Sequence, residues 1–216
     1  PASMLKLGTL MATLKVASDD PQILTKKHYY NYEDNAGQFY KPVPLKSGYH
    51  SGLALLQQMV IHSDNTAMDL VDQDNIENIL ALYADLKLES PVGSPDNFMS
   101  PRSYSRFLRA LYNATYLSRT YSEQALKLLT YVNFEKGLRR GVPPLVEIAH
   151  KFGEHTLLEN GVVQYRELHD CGIVYQPDEP YLLCVMTQGQ DFSKLEDIIG
   201  DISKIVFDYQ EDYYDK

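Results

Sequence analysis

Three short strings in this chain carry side chains that can do nucleophilic chemistry. Ser3-Met4-Leu5-Lys6 places a hydroxyl and an amine three residues apart at the start of an apolar helical pattern. Three residues is close to one helical turn, so the two side chains share a face. A serine hydroxyl is a weak nucleophile until a base takes its proton. An amine can be that base only when neutral, and burial beside other cations lowers its pKa toward that state. Lys151, in the string Lys151-Phe152-Gly153 at a strand end, would supply the neighbouring cation. Ser63-Asp64-Asn65 follows a second helical pattern. Ser63 could relay a proton to a leaving nitrogen, and the Asn65 amide could meet an amide of the substrate. The free N–H groups at a helix start favour the negative oxygen of a tetrahedral intermediate. Singly, each string has a plainer meaning: a helix cap with a solvated lysine, a capping turn, a strand end. Only the three together point to one site.

The elements that must position these strings follow from periodicity. Met4, Leu7, Met11 and Leu14 predict a helix over 2–16 with one apolar face. Residues 26–47 are polar, rich in tyrosine and carry Pro42 and Pro44, so they read as loop. Helices are expected over 48–61, 65–71 and 74–86, then a loop over 89–99. Ser100-Pro101 starts a helix to about Tyr116, because Ser caps free N–H groups and Pro suits the first turn. Another helix is expected over 122–132, and 139–144 reads as a turn-rich connection. The pattern then changes to short β-branched and aromatic runs over 146–151, 172–176 and 181–187, expected as strands. An amphipathic helix over 192–213 closes the chain, with Leu195, Ile198, Ile199, Ile202, Ile205, Val206 and Tyr209 on one face. The order predicts one α+β domain over 1–216. It has a helical lobe to about residue 140 beside a small antiparallel sheet and C-terminal helix over about 141–216.

In order and in context, the three strings resemble the signature of class A β-lactamases and penicillin-binding proteins. Pro1-Ala2-Ser3 and the spacing from Ser3 to Ser63 are also similar to class A. The resemblance spans the whole chain. It implies a β-lactamase/transpeptidase-like fold and a serine acyl-transfer hydrolase of the DD-peptidase kind. The catalytic residues would be Ser3, Lys6, Ser63 and Lys151. Asn65, Gly153 and Glu154 would bind substrate, with the Glu154 backbone N–H as second oxyanion donor. No cofactor and no metal are implied. The substrate would be a β-lactam or a D-alanyl peptide, and the location extracytoplasmic.

Three departures qualify what the resemblance implies. The family carries Thr or Ser in the middle of the third string and uses that hydroxyl to hold the substrate carboxylate. Phe152 stands there and cannot donate a hydrogen bond. His150, His155, Arg139 and Arg140 are nearby alternatives, each with an ordinary structural or solvated role beside it. The interval from Ser63 to Lys151 is also shorter than in class A. It lacks the Glu-Pro-x-Leu-Asn string of the Ω loop, whose glutamate activates the deacylating water. Glu89 is the only glutamate in a loop nearby. Without such a base an acyl-enzyme would form and persist, as in penicillin-binding proteins. Finally, the family fold has a helix and two strands before the nucleophile helix, and nothing precedes Pro1 here. The expectation is a piece of a longer protein, its N-terminal segment being a partner, with the strand over 181–187 left as an open edge.

Composition narrows the alternatives. The 216 residues carry a net charge of −9, with no basic stripe, which argues against nucleic-acid binding. No apolar run reaches the ~20 residues a membrane span needs. Two cysteines exclude a disulfide-dense scaffold, and no Cys/His spacing suits zinc. A hairpin turn centred on Pro177-Asp178 would place Cys171 opposite Cys184, either as a disulfide or as two buried thiols. Two other function classes stay open. One is a class A-like β-lactamase with an unusual deacylating base. The other is a weak or inactive binding module of the same fold.

Overall fold

The first motif enters a helix surrounded on all sides. In the computed structural model, which describes residues 1–33, 38–73, 75–90, 98–177 and 179–214, one turn of 3-10 helix (Ala2–Leu5) runs into α1 (Lys6–Asp19). Periodicity predicts a single apolar face, yet every residue from Lys6 to Leu14 is buried. Gly8, Thr9, Ala12 and Thr13 are small and fill the face between the larger side chains, so neighbours approach from every direction. Thr13 turns its hydroxyl back to the Thr9 carbonyl, 2.8 Å away, and accepts from the Asn75 amide at 2.8 Å, which satisfies it inside the core.

After the short α2 (Gln22–Thr25) come β1 (Lys27–Tyr30) and β2 (Gly48–Ser51), paired antiparallel from Lys27 opposite Ser51 to Tyr30 opposite Gly48. The loop expected over 26–47 therefore contains a strand, and the helix expected from Gly48 starts four residues later. His28, Tyr29 and Tyr30 favour a pleated surface. Ser51 caps α3 (Gly52–Ile61), its hydroxyl accepting from the Ala54 amide. A side chain at Gly52 would place a Cβ 2.3 Å from the Ile23 carbonyl oxygen, so only glycine lets α3 begin there.

The helical lobe continues with α4 (Asn65–Asp72), α5 (Ile76–Asp85), α6 (Pro101–Tyr112) and α7 (Arg119–Leu129). Asp74, expected to start α5, lies outside the described residues, as do residues 91–97 of the expected loop. Ser100 caps α6 as the sequence predicts, accepting from the Ser103 amide at 3.1 Å. Ser118 caps α7, which starts three residues before the expected residue 122.

A 3-10 turn (Leu138–Gly141) leads to β3 (Ile148–Glu159), β4 (Val162–Val174), β5 (Tyr181–Gly189) and α8 (Phe192–Tyr214). The strands form an antiparallel sheet in the order β3-β4-β5. The sequence reading captures only the apolar ends of β3 and β4. Their polar middle projects into solvent and turns at Asn160-Gly161, both with positive φ (51° and 77°), a pair suited to a tight hairpin. Ile148 to Gly153 are buried without a break, so both faces of β3 are covered there. Ala149, Lys151 and Gly153 face the helical lobe, while His150 and Phe152 face the side on which α8 packs. Cys171 and Cys184 lie directly opposite on β4 and β5 and form a disulfide. On α8 the buried stripe is narrower than expected: Leu195 and Ile199 are buried, but Ile198, Ile205 and Tyr209 are exposed. The result is α+β, helices on one side of a small antiparallel sheet and α8 on the other.

Candidate active site

Two lysines tie the three strings together. The Lys6 Nζ donates to Ser3 Oγ at 2.8 Å and to Asn65 Oδ1 at 2.6 Å. The Lys151 Nζ donates to Ser63 Oγ at 3.0 Å and to the Phe152 carbonyl at 3.0 Å. Lys6, Lys151 and Ser63 are each at most 1% exposed. The turn carrying Ser3 is pressed onto β3 at Gly153. A Cβ there would fall 2.4 Å from the Pro1 carbonyl oxygen and 2.9 Å from Met4 Cγ, so this contact requires glycine. From the other side, Tyr104 of α6 donates its hydroxyl to the Met4 carbonyl at 3.1 Å.

Asp64 fixes the second string. Its carboxylate is fully buried and accepts from the Tyr30 hydroxyl (2.6 Å), Gln58 Nε2 (2.9 Å) and the Ala67 amide (3.0 Å). The last bond makes Asp64 the N-cap of α4. β1, α3 and α4 thus meet at one side chain, with Ser63 and Asn65 on either side of it. Ser63 has φ +56°, and Ala2, beside Ser3, has φ +48°. A left-handed backbone at non-glycine residues costs energy, and here it falls beside Ser3 and at Ser63 itself.

The electrostatics favour a neutral amine. Burial pushes the Lys6 pKa down to about 8, against the pull of Asp64, Asp69, Asp72 and Glu154. Lys151 is pushed well below the ordinary lysine range, first by burial and then by the positive charge of Lys6. Among the described residues no group of His, Cys, Asp or Glu is placed to hold a metal ion.

The profile of the β-lactamase enzyme family matches residues 1–210. The chain belongs to that family. Solved structures repeat the fold at low identity. "PBP-A" is 17% identical with a TM-score of 0.76, covering 98% of this chain and 81% of that one. A PBP-A mutant, solved as an acyl-enzyme complex with penicillin G, is 18% identical with a TM-score of 0.75 and covers 98% and 81%. The TLA-3 extended-spectrum β-lactamase is 19% identical with a TM-score of 0.80 and covers 97% and 84%. A comparison with curated proteins gives no match.

Within this β-lactamase-family chain, the remaining sequence candidates separate. Phe152 is 3% exposed, stacked on Phe134 at 4.1 Å and edge-on to Tyr40. The Lys151 ammonium stands 4.4 Å from its ring centroid, a cation–π contact at the position where the family carries a hydroxyl. His150 is buried against Asp170 at 2.9 Å, and His155 pairs at the surface with Glu167. Arg139 holds the Val146 and Pro143 carbonyls, and Arg140 pairs with Asp197 and Asp201 on α8. These four are bound up in packing on β3, its hairpin and α8. Glu89 is exposed and makes no described bond to Ser3 or Lys6.

Glu154 does more than the resemblance implies. Its Oε1 accepts from the Phe39 amide (2.6 Å) and the Tyr40 amide (2.8 Å). Gln38 donates to the Ser63 carbonyl at 3.2 Å. Residues 38–40 thus cross from the second string to β3. Tyr40 then packs on Phe134, Phe152 and Phe192 and donates its hydroxyl to Glu196. Sequence reasoning missed this strap, along with Tyr30 and Gln58, which hold Asp64. The tyrosine-rich composition of 26–47 was the one signal pointing to it.

Proposed function

We propose that this chain is a serine acyl-transfer enzyme that forms a Ser3 acyl-enzyme with β-lactams or D-alanyl peptides. The observation that supports the reading best is the convergence of Ser3, Lys6 and Asn65 with Ser63 and Lys151 through buried hydrogen bonds. Neutral Lys6 takes the Ser3 proton as Oγ attacks the scissile carbonyl. With a pKa of about 8, roughly a tenth of the amine is neutral at pH 7. Backbone N–H groups of Ser3 and Glu154 receive the developing oxyanion. Ser63 passes its proton to the leaving nitrogen as the C–N bond breaks, and Lys151, which donates to Ser63 Oγ, replaces that proton. Asn65 and the outer edge of β3 hold the acyl donor's amide. The acyl-enzyme seen for the PBP-A mutant with penicillin G supports this substrate class. An extracytoplasmic location agrees with the Cys171–Cys184 disulfide.

A binding module of the same fold is the second reading, favoured by Phe152 in place of a hydroxyl. Incubation with a fluorescent penicillin followed by a denaturing gel separates the two. The enzyme reading predicts a covalent label on the wild type and none on Ser3→Ala. An unlabelled wild type would support the binding module instead.

A further inference from the structure

The reaction proposed above needs the Ser63 hydroxyl to meet the leaving nitrogen, yet Ser63 is 1% exposed and Lys151 0%. A cover must move before substrate can enter. The lobe side of Ser63 is held by Asp64, which joins β1, α3 and α4 through three buried hydrogen bonds. On the sheet side, Lys151 sits in the stretch of β3 that is buried on both faces. The element left is the strap. It bridges the two walls, from the Ser63 carbonyl, which accepts from Gln38 at 3.2 Å, to the Glu154 carboxylate on β3. Residues 38–47 form no helix or strand, so no backbone ladder holds it, and such segments open most readily.

The strap has one fixed end. The Tyr40 ring is packed among Phe134, Phe152 and Phe192, and its hydroxyl donates to Glu196. Beyond it Phe39 is 55% exposed. Glu154 Oε1 closes this free end by accepting from the Phe39 amide at 2.6 Å and the Tyr40 amide at 2.8 Å. The closed form leaves Glu154 Oε2 buried, with no hydrogen-bond partner among the described residues. Burial also pushes this carboxyl above the usual carboxylate range, against the pull of the Tyr40 and Phe39 amides, Lys41 and Lys6. A buried acceptor without a donor costs free energy that water restores on opening. Two charge-assisted bonds hold the strap shut and one stranded oxygen opposes them, so the closed and open forms lie close in free energy.

Resting on the acyl-enzyme reading above, we propose that residues 38–40 are a gate over the Ser63–Lys151 end of the cleft and that the Glu154 side chain is its latch. Opening gives the Phe39 and Tyr40 amides to water, lifts Gln38 off the Ser63 carbonyl and uncovers the Ser63 hydroxyl, while the Tyr40 ring stays in place as the hinge. Glu154 is then a positioning residue: its side chain sets how often the cleft stands open. A substrate that enters only the open form reacts at a rate reduced by the open fraction.

The test combines hydrogen exchange of the strap peptide with the rate of labelling by a fluorescent penicillin, in wild type, Glu154→Gln and Gln38→Ala. Glu154→Gln keeps the shape and the backbone N–H but turns two charge-assisted bonds into neutral ones. Exchange at residues 39–40 and the labelling rate should both rise about tenfold. Gln38→Ala frees the other end without touching β3 and should also speed both. A merely structural role for Glu154 would slow labelling instead. Labelling no faster in Glu154→Gln, or slower in Gln38→Ala, would overturn the gate while leaving the acyl-enzyme reading intact. A wild type that never labels would defeat the acyl-enzyme reading, and exchange alone then decides the latch: strap amides protected in wild type and released in Glu154→Gln support it, and amides unprotected in wild type overturn it.

Discussion

At the residue scale, the proposed reaction turns on the state of Lys6. Its amine is buried, bonded to Ser3 Oγ and shifted down to about 8. The neutral, basic form is gained as pH rises through that value and lost as pH falls below it. The penicillin labelling rate should therefore climb about tenfold per pH unit below 8 and level off above, as measured by stopped-flow fluorescence. Lys6→Ala should lower the labelling rate by at least about 10³-fold at pH 8 while the protein stays folded. Asp64 has a different task. Replacing it with Ala would strand the Tyr30 hydroxyl, the Gln58 amide and the Ala67 N–H in a buried site. A loss of about 3 kcal/mol is expected. In a chain of this size that lowers Tm by about 6–12 °C, readable by calorimetry.

At the element scale, the cleft depends on how closely the nucleophile turn can approach β3. Gly153→Ala would drive a Cβ against the Pro1 carbonyl and Met4, forcing the turn that carries Ser3 away from Lys151. Labelling should drop by about 10²-fold, since a shift near 1 Å at reacting atoms costs that much. Gly161→Ala makes the contrast. Nothing lies within 4 Å of its Cβ, but φ is +77°. It should cost about 1 kcal/mol of stability and leave the labelling rate unchanged. How much was legible in the sequence follows from the same elements. Ser100-Pro101 and the three strings could be read because capping, proline geometry and reactive residue types act locally. The β1–β2 pair could not, because its register is set by Tyr30 reaching Asp64 across the chain. The Asn160-Gly161 turn carried a local signal that the reading passed over in favour of the apolar ends of β3 and β4.

At the scale of the whole molecule, a helical lobe supplies Ser3, Lys6, Ser63 and Asn65, and one strand supplies Lys151 and Gly153. The sheet that presents that strand is small, and the Cys171–Cys184 disulfide ties its second and third strands together. Closing a separation of 13 residues in the unfolded chain is worth about 3 kcal/mol. Reduction with a thiol should therefore lower Tm by about 6–12 °C, readable by calorimetry. The long interval between the first and third strings could be matched only by the fold itself. Residues with no local reason to associate end as two hydrogen-bonded lysine–serine pairs inside the protein. The most direct test is a peptide map after reaction with penicillin G. Cleavage after Lys6 releases the peptide that ends in Ser3-Met4-Leu5-Lys6. The account predicts the mass of one intact, ring-opened penicillin on that peptide and specifically on Ser3. An adduct on any other peptide would contradict it, as would a reacted protein in which Ser3 stays free.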